Sequence, residues 1–78
     1  MMKHKLTIYS VNELGPELRK IRTDKKMRIV ELQDKSGISI STLSMVEQGK
    51  QYPRLNTLNA WLAALDIDEV VIKSSIKQ

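Results

Sequence analysis

Residues 27–49 read MRIVELQDKSGISISTLSMVEQG, and the pattern of this stretch decides the fold. Apolar residues at Met27, Ile29, Val30 and Leu32 precede Gly37. Glycine just past a last turn stops a helix because it adopts the left-handed conformation. The spacing therefore predicts a short helix over 28–36. Ser39 follows as an N-cap, its hydroxyl accepting from a first-turn amide, and a further helix runs to Gln48 and stops at Gly49. Leu43 and Val46, with Ile38 just before them, make its buried stripe, while Ile40, Ser41, Ser44, Met45 and Gln48 face outward.

Two short helices joined through Gly37-Ile38-Ser39 have the form of a helix-turn-helix. Upstream, Ser10-Val11-Asn12-Glu13 matches a capping box, and Val11, Leu14, Leu18 and Ile21 recur at the spacing of one helical face. Gly15-Pro16 interrupts that face. Proline lacks an amide hydrogen and fits only a first turn, so either the regular helix begins near Asn12 or it bends there; a helix is predicted over 12–25. Downstream, Lys50-Gln51-Tyr52-Pro53-Arg54 reads as a loop. Asn56 caps a helix over 57–65, in which Leu55, Leu58, Leu62 and Leu65 repeat at intervals of three and four beside Trp61. Val70-Val71-Ile72 is β-branched and too short for a capped helix, so it reads as a strand. A lone strand needs a partner: either the KLTIY segment (residues 5–9) or the same strand in a second copy.

The expected fold is all-α, a small bundle of four to five helices containing a helix-turn-helix, with a short C-terminal β-strand used in dimerisation. Residues 1–9 form a lead-in, 10–66 the helix-turn-helix domain, and 67–78 the strand and tail. Leu18, Ile21, Leu32, Ile38, Leu43, Val46, Leu58, Leu62 and Leu65 are expected in the core. Trp61 reads as core or dimer packing rather than a ligand platform, Tyr9 and Tyr52 as surface residues, and His4 as solvated tail.

The chain has 78 residues, no cysteine and one histidine. That length allows one small domain with a thin core. Without cysteines no thiolate metal site can be built, and a single histidine near the terminus removes most routes to a metal cluster or a Ser/His triad. No paired carboxylates or phosphate-cradling glycine loop stand in for them, so neither catalysis nor a metal or cofactor is expected. No apolar run approaches the roughly 20 residues of a membrane span, and the N-terminus lacks a signal peptide's apolar stretch. A cytoplasmic binding protein with no membrane partner is expected. Thirteen Lys plus Arg against nine Asp plus Glu give a net charge of +4. Arg19, Lys20, Arg22, Lys25, Lys26 and Arg28 crowd together with Asp24 as the only acid among them, whereas Asp66, Asp68 and Glu69 gather near the C-terminus. One end is thus electropositive, a distribution compatible with nucleic acid and equally with a solvated helix face.

Glu31-Leu32, Ser36-Gly37-Ile38-Ser39, Ser41-Thr42-Leu43-Ser44 and Val46-Glu47-Gln48-Gly49 together resemble the lambda-repressor-like helix-turn-helix family, also called the Cro/CI or XRE family. Leu18-x-x-Ile-Arg22 and the downstream leucine-rich helix stand where that family has them, and the resemblance covers residues 12–66. The short lead-in and β-branched tail look most like the HipB-type antitoxins of toxin–antitoxin modules. The resemblance implies that the helix after Ser39 enters the major groove of double-stranded DNA, with Ser39, Ile40, Ser41, Ser44 and Met45 at base edges. It places Arg28, Lys50, Gln51, Arg54 and Asn56 on phosphates. Serine hydroxyls discriminate bases poorly, and Ile40 and Met45 suit thymine methyls. Ile29 stands where the family usually has glutamine, Arg28 where it often has a Ser or Thr cap, and Met45 where it often has a polar or basic residue. Specificity is therefore expected to lean on methyl contacts, DNA shape and two spaced half-sites. Glu47 occupies the position that pairs with a first-helix arginine, here Arg22.

Two functional readings follow. The leading one is a homodimeric, autoregulatory transcriptional repressor on a palindromic operator, joined through Val70, Val71 and Ile72, and serving as the antitoxin partner of a toxin. The rival is a protein-interaction module that kept the fold and lost most of its DNA binding, with Ile29, Ile40 and Met45 as its exposed apolar cluster.

Overall fold

The structure, a computed structural model, describes residues 4–73. Strand β1 (His4–Ile8) leads through a 3-10 turn (Val11–Glu13) into helices α1 (Leu14–Asp24), α2 (Ile29–Ser36), α3 (Ile40–Glu47) and α4 (Leu55–Ala64), and strand β2 (Ile67–Ile72) follows.

The Gly15-Pro16 interruption has a simple resolution. The chain takes one 3-10 turn and then starts α1 at Leu14, which puts Pro16 in the first turn, where its missing amide would have had no intrahelical acceptor. Ser10 caps the 3-10 turn, its hydroxyl accepting from the Asn12 N–H at 3.2 Å. Glu13 reaches back one residue further than a capping box requires, accepting from the Tyr9 N–H at 3.1 Å. Gly15 is buried, and a methyl group there would overlap the carbonyl oxygen of Val46. The first turn of α1 thus rests on the backbone of α3's last turn.

The turn between α2 and α3 follows local signals. Gly37 sits at φ +76 and closes α2, its N–H donating to the Gln33 carbonyl at 2.8 Å. Ser39 caps α3, accepting from the Thr42 N–H at 3.3 Å. The start of α4 departs from expectation: Arg54, not Asn56, is the N-cap, and its carbonyl accepts the first helical bond from Leu58 at 2.8 Å. Asn56 lies inside the helix, its Oδ1 accepting from the neighbouring Thr57 N–H at 2.9 Å. This earlier start projects Leu55 beyond the core, where it is 74% exposed, so the leucine stripe begins at Leu58.

Leu18, Ile21, Leu32, Ile38, Leu43, Val46 and Leu65 are buried, with Leu58 and Leu62 half-buried against them. Trp61 is fully buried among them, a core residue. Leu6 and Ile8 of β1 also belong to this core.

Of the two partners open to the C-terminal strand, the structure contains the one in the same chain. β1 and β2 pair in parallel, Leu6 opposite Val70 and Ile8 opposite Ile72. Parallel strands need a long crossover, and here all four helices supply it. The mainly helical molecule therefore carries a two-stranded sheet rather than a lone strand. His4 is accordingly no free tail: it opens β1, and its N–H donates to the Asp66 carbonyl at 2.9 Å. The outer parts of the lead-in and tail, residues 1–3 and 74–78, lie outside the described residues. Among the described residues no helix is long and apolar enough to cross a membrane.

Candidate nucleic-acid interface

α3 is held against the rest of the protein on one side only. Leu43 and Val46 are buried. Glu47, with its side chain 4% exposed, accepts from Arg22 Nε at 2.7 Å and from Nη2 at 2.9 Å. Arg22 also donates from Nη1 to the Met27 carbonyl at 2.8 Å. One guanidinium thus ties α1, the α1–α2 turn and the end of α3 together. The cost is one cation fewer for binding: Arg22 belongs to the packing, while Arg19, Lys20, Lys25 and Lys26 remain exposed.

The N-terminal end of α3 is fixed by a contact that reading the sequence did not anticipate. Gln33 of α2 accepts from the Ile40 N–H through Oε1 at 2.9 Å. With Thr42 capped by Ser39, two first-turn amides are already bonded. What the tip of α3 offers to the outside is therefore chiefly side chains.

The opposite side of α3 is free. Ile40 and Met45 are each 37% exposed, Ser41 is exposed and Ser44 is half-buried. Not every serine on this side is equally available. The Ser39 hydroxyl also lies 3.1 Å from the Thr42 hydroxyl, and Ser44 accepts from Gln48 Nε2 at 2.8 Å. Behind Ser44 an open cleft of about 360 Å³ runs between α1 and α3, lined by Arg19, Arg22, Ile29, Ser44, Glu47 and Gln48. Arg19 and Gln48 thus join this surface, although neither was picked out as a binding residue from the sequence. The signal for Arg19 is its position one helical turn before Arg22, which sets it on the same side of α1.

Phosphate-binding candidates flank this face. Arg28 is the exposed N-cap of α2. Its N–H donates to Glu31 Oε1 at 2.7 Å, and its Nε lies 3.5 Å from the same oxygen. The backbone bond from Arg28, assisted by its guanidinium, holds the Glu31 carboxyl below its ordinary range. Lys50, Gln51, Arg54 and Asn56 are exposed on and just beyond the α3–α4 loop. Ile29, expected as part of an exposed apolar cluster, is instead half-buried against the core. It starts α2 with its side chain turned toward the interior, which leaves Ile40 and Met45 as the apolar residues of the free face.

A family model described as helix-turn-helix, HTH_3, matches residues 18–72, more than half of the chain. The chain belongs to this helix-turn-helix family. The match spans most of α1 and all of α2, α3, α4 and β2, so it covers the whole surface just described. The family is one of DNA-binding regulators. No curated protein matches the chain.

Proposed function

We propose that the protein is a homodimeric transcriptional repressor that reads a palindromic operator with the outward face of α3. The observation that carries this reading is the two-sidedness of α3: Ile40, Ser41 and Met45 exposed on a helix whose other side is locked by Leu43, Val46 and the Arg22–Glu47 pair. A rigid rod with one free, neutral face and basic flanks fits a groove bordered by phosphates. Ile40 and Met45 would meet thymine methyls, Ser41 any base, and Arg28, Lys50, Gln51, Arg54 and Asn56 the backbone. Ser39 and Ser44, engaged within the protein, contribute less discrimination than Ser41. Titrating duplexes across salt concentration tests this. Several phosphate contacts give a log–log slope of about −0.9 per phosphate, and replacing operator thymines by uracil should weaken binding. No retardation of any duplex at low salt would favour the protein-interaction reading instead.

Dimerisation falls to Val70, Val71 and Ile72. Lys73 donates to the Ile8 carbonyl at 2.8 Å, so in a parallel ladder Val70 and Ile72 turn their backbone groups away from β1. A second β2 laid antiparallel along that edge, with Val70 opposite Ile72, brings Glu69 opposite Lys73, opposite charges across the pair. Two-fold symmetry then sets two copies of α3 about 34 Å apart, one turn of DNA. Ile72→Pro removes an edge donor while leaving the β1 ladder in place, and should sediment as a monomer; a dimeric variant would reject this interface. The likeness to HipB-type antitoxins adds a toxin as protein partner and the protein's own promoter as target. A toxin gene next to this one, whose product co-purifies with the chain, is the corresponding test.

A further inference from the structure

The α3–α4 loop is anchored at both ends and nearly free between them. At its start the Gly49 N–H donates to the Val46 carbonyl and the Lys50 N–H to the Met45 carbonyl, each at 2.9 Å. At its end Arg54 begins α4. Gln51, Tyr52 and Pro53 make no backbone hydrogen bond among the described residues. Their one polar tie is a side chain: the Tyr52 hydroxyl donates to Asn12 Oδ1 at 2.6 Å, across 40 positions of sequence.

Asn12 is a firm anchor. It lies in the 3-10 turn, its own N–H is held by Ser10, and α1 follows directly. Pro53 restricts the residue before it to extended conformations, so the direction in which Tyr52 leaves the chain is constrained as well. Tyr52 is 61% exposed and so adds little to the core. A solvent-exposed hydrogen bond competes with water and contributes little to global stability. Its effect is to order the segment that carries Lys50, Gln51 and Arg54, whose side chains have no hydrogen bond or ion pair among the described residues.

We infer that the Tyr52–Asn12 hydrogen bond is a strap that pre-orders the α3–α4 loop for DNA phosphates, making Tyr52 and Asn12 positioning residues for binding. This rests on the reading of that loop as a backbone-gripping one. A loop already shaped before docking spares the complex the entropy of ordering it. The strap should thus alter affinity without altering the number of phosphates met.

The test uses the full chain and a mixed-sequence duplex at several salt concentrations, because backbone contacts are sequence-independent. Tyr52→Phe and Asn12→Ala should each weaken binding by about two- to tenfold. The double variant should be no weaker than either single one, with the salt slope and melting temperature unchanged. Lys50→Ala, the comparison variant, should reduce the slope by about 0.9. If Lys50→Ala does so while Tyr52→Phe binds like the wild type, the strap is wrong and the loop reading survives. Additive losses in the double variant would also overturn it, showing that Tyr52 touches DNA independently of Asn12. A Lys50→Ala slope equal to the wild type's would remove the loop reading and the strap together.

Discussion

The two faces of α3 are governed by different demands. On the inward face each residue has a specific neighbour: Leu43 and Val46 are closed into the core, Glu47 is gripped by two nitrogens of Arg22, and the Val46 carbonyl lies where Gly15 must have no side chain. On the outward face Ser41 is exposed and Ile40 and Met45 keep over a third of their surface. The contrast separates two kinds of information within eight residues. Inward positions specify that the helix exists and where it lies; outward positions are free to specify what it meets. Substitutions should therefore divide cleanly, the inward ones acting on folding and the outward ones on binding alone.

The inward face is most vulnerable at its contact with Gly15. Gly15→Ala forces α1 off the backbone of α3, and overpacking against backbone cannot be relieved by a rotamer change. A loss of at least about 3 kcal/mol is expected, a large share of the stability of so small a domain. Circular-dichroism melting measures it. A melting temperature within a few degrees of the wild type's would show that the two helices have room to separate. Comparable in size is Glu47→Ala, which leaves the Arg22 guanidinium, its side chain only 11% exposed, without its carboxylate. Breaking such a pair costs about 3–5 kcal/mol. The double variant Arg22→Met with Glu47→Leu should recover much of that loss. If it is less stable than Glu47→Ala alone, the pair is not acting as a unit.

What could be read in advance follows the same division. Gly37 and Ser39 are local signals, so the α2–turn–α3 unit and the outward residues of α3 were legible from spacing alone. The close approach at Gly15 was not, because its cause, Val46, lies 31 positions away in a separate helix. Gln33 looks like an ordinary surface residue of α2 until the turn brings the Ile40 amide within its reach. Asn56 is a better cap by chemistry than Arg54, yet the backbone enters α4 two residues earlier, and the core absorbs Leu58, Trp61 and Leu65 while stranding Leu55. The β-branched run announced a strand. Its partner depended on where four helices delivered it, which no local pattern encodes.

On the outward face the expected effects are smaller for the fold. Ile40→Ala and Met45→Ala should each change stability by no more than about 1 kcal/mol, since partly exposed side chains lose little burial. Both should weaken binding to a thymine-containing operator while leaving its salt slope unchanged. A variant that unfolds, or that binds uracil-substituted and thymine operators with the wild-type preference, would blur the line between the two faces.

The smallest effect is expected where the two kinds of information meet, at Glu31. Its carboxyl accepts from the Arg28 backbone at the start of α2 and lies beside the Arg28 guanidinium, a proposed phosphate contact. Because the folded protein holds this carboxyl below its ordinary range, its stabilising contribution is present above the unfolded-state value. That contribution is lost as pH falls through the lower folded-state value. Glu31→Gln keeps an acceptor for the same amide and removes the charge. Its melting temperature should fall slightly below the wild type's near neutral pH, and the two curves should converge in acid once the wild-type carboxyl is protonated. Releasing Arg28 from a neighbouring anion should meanwhile tighten binding to DNA, so the same substitution moves stability down and affinity up. A melting difference that stays constant through the carboxylate range would show that the charge plays no part in starting α2. An unchanged affinity would show that Arg28 stands apart from the phosphates.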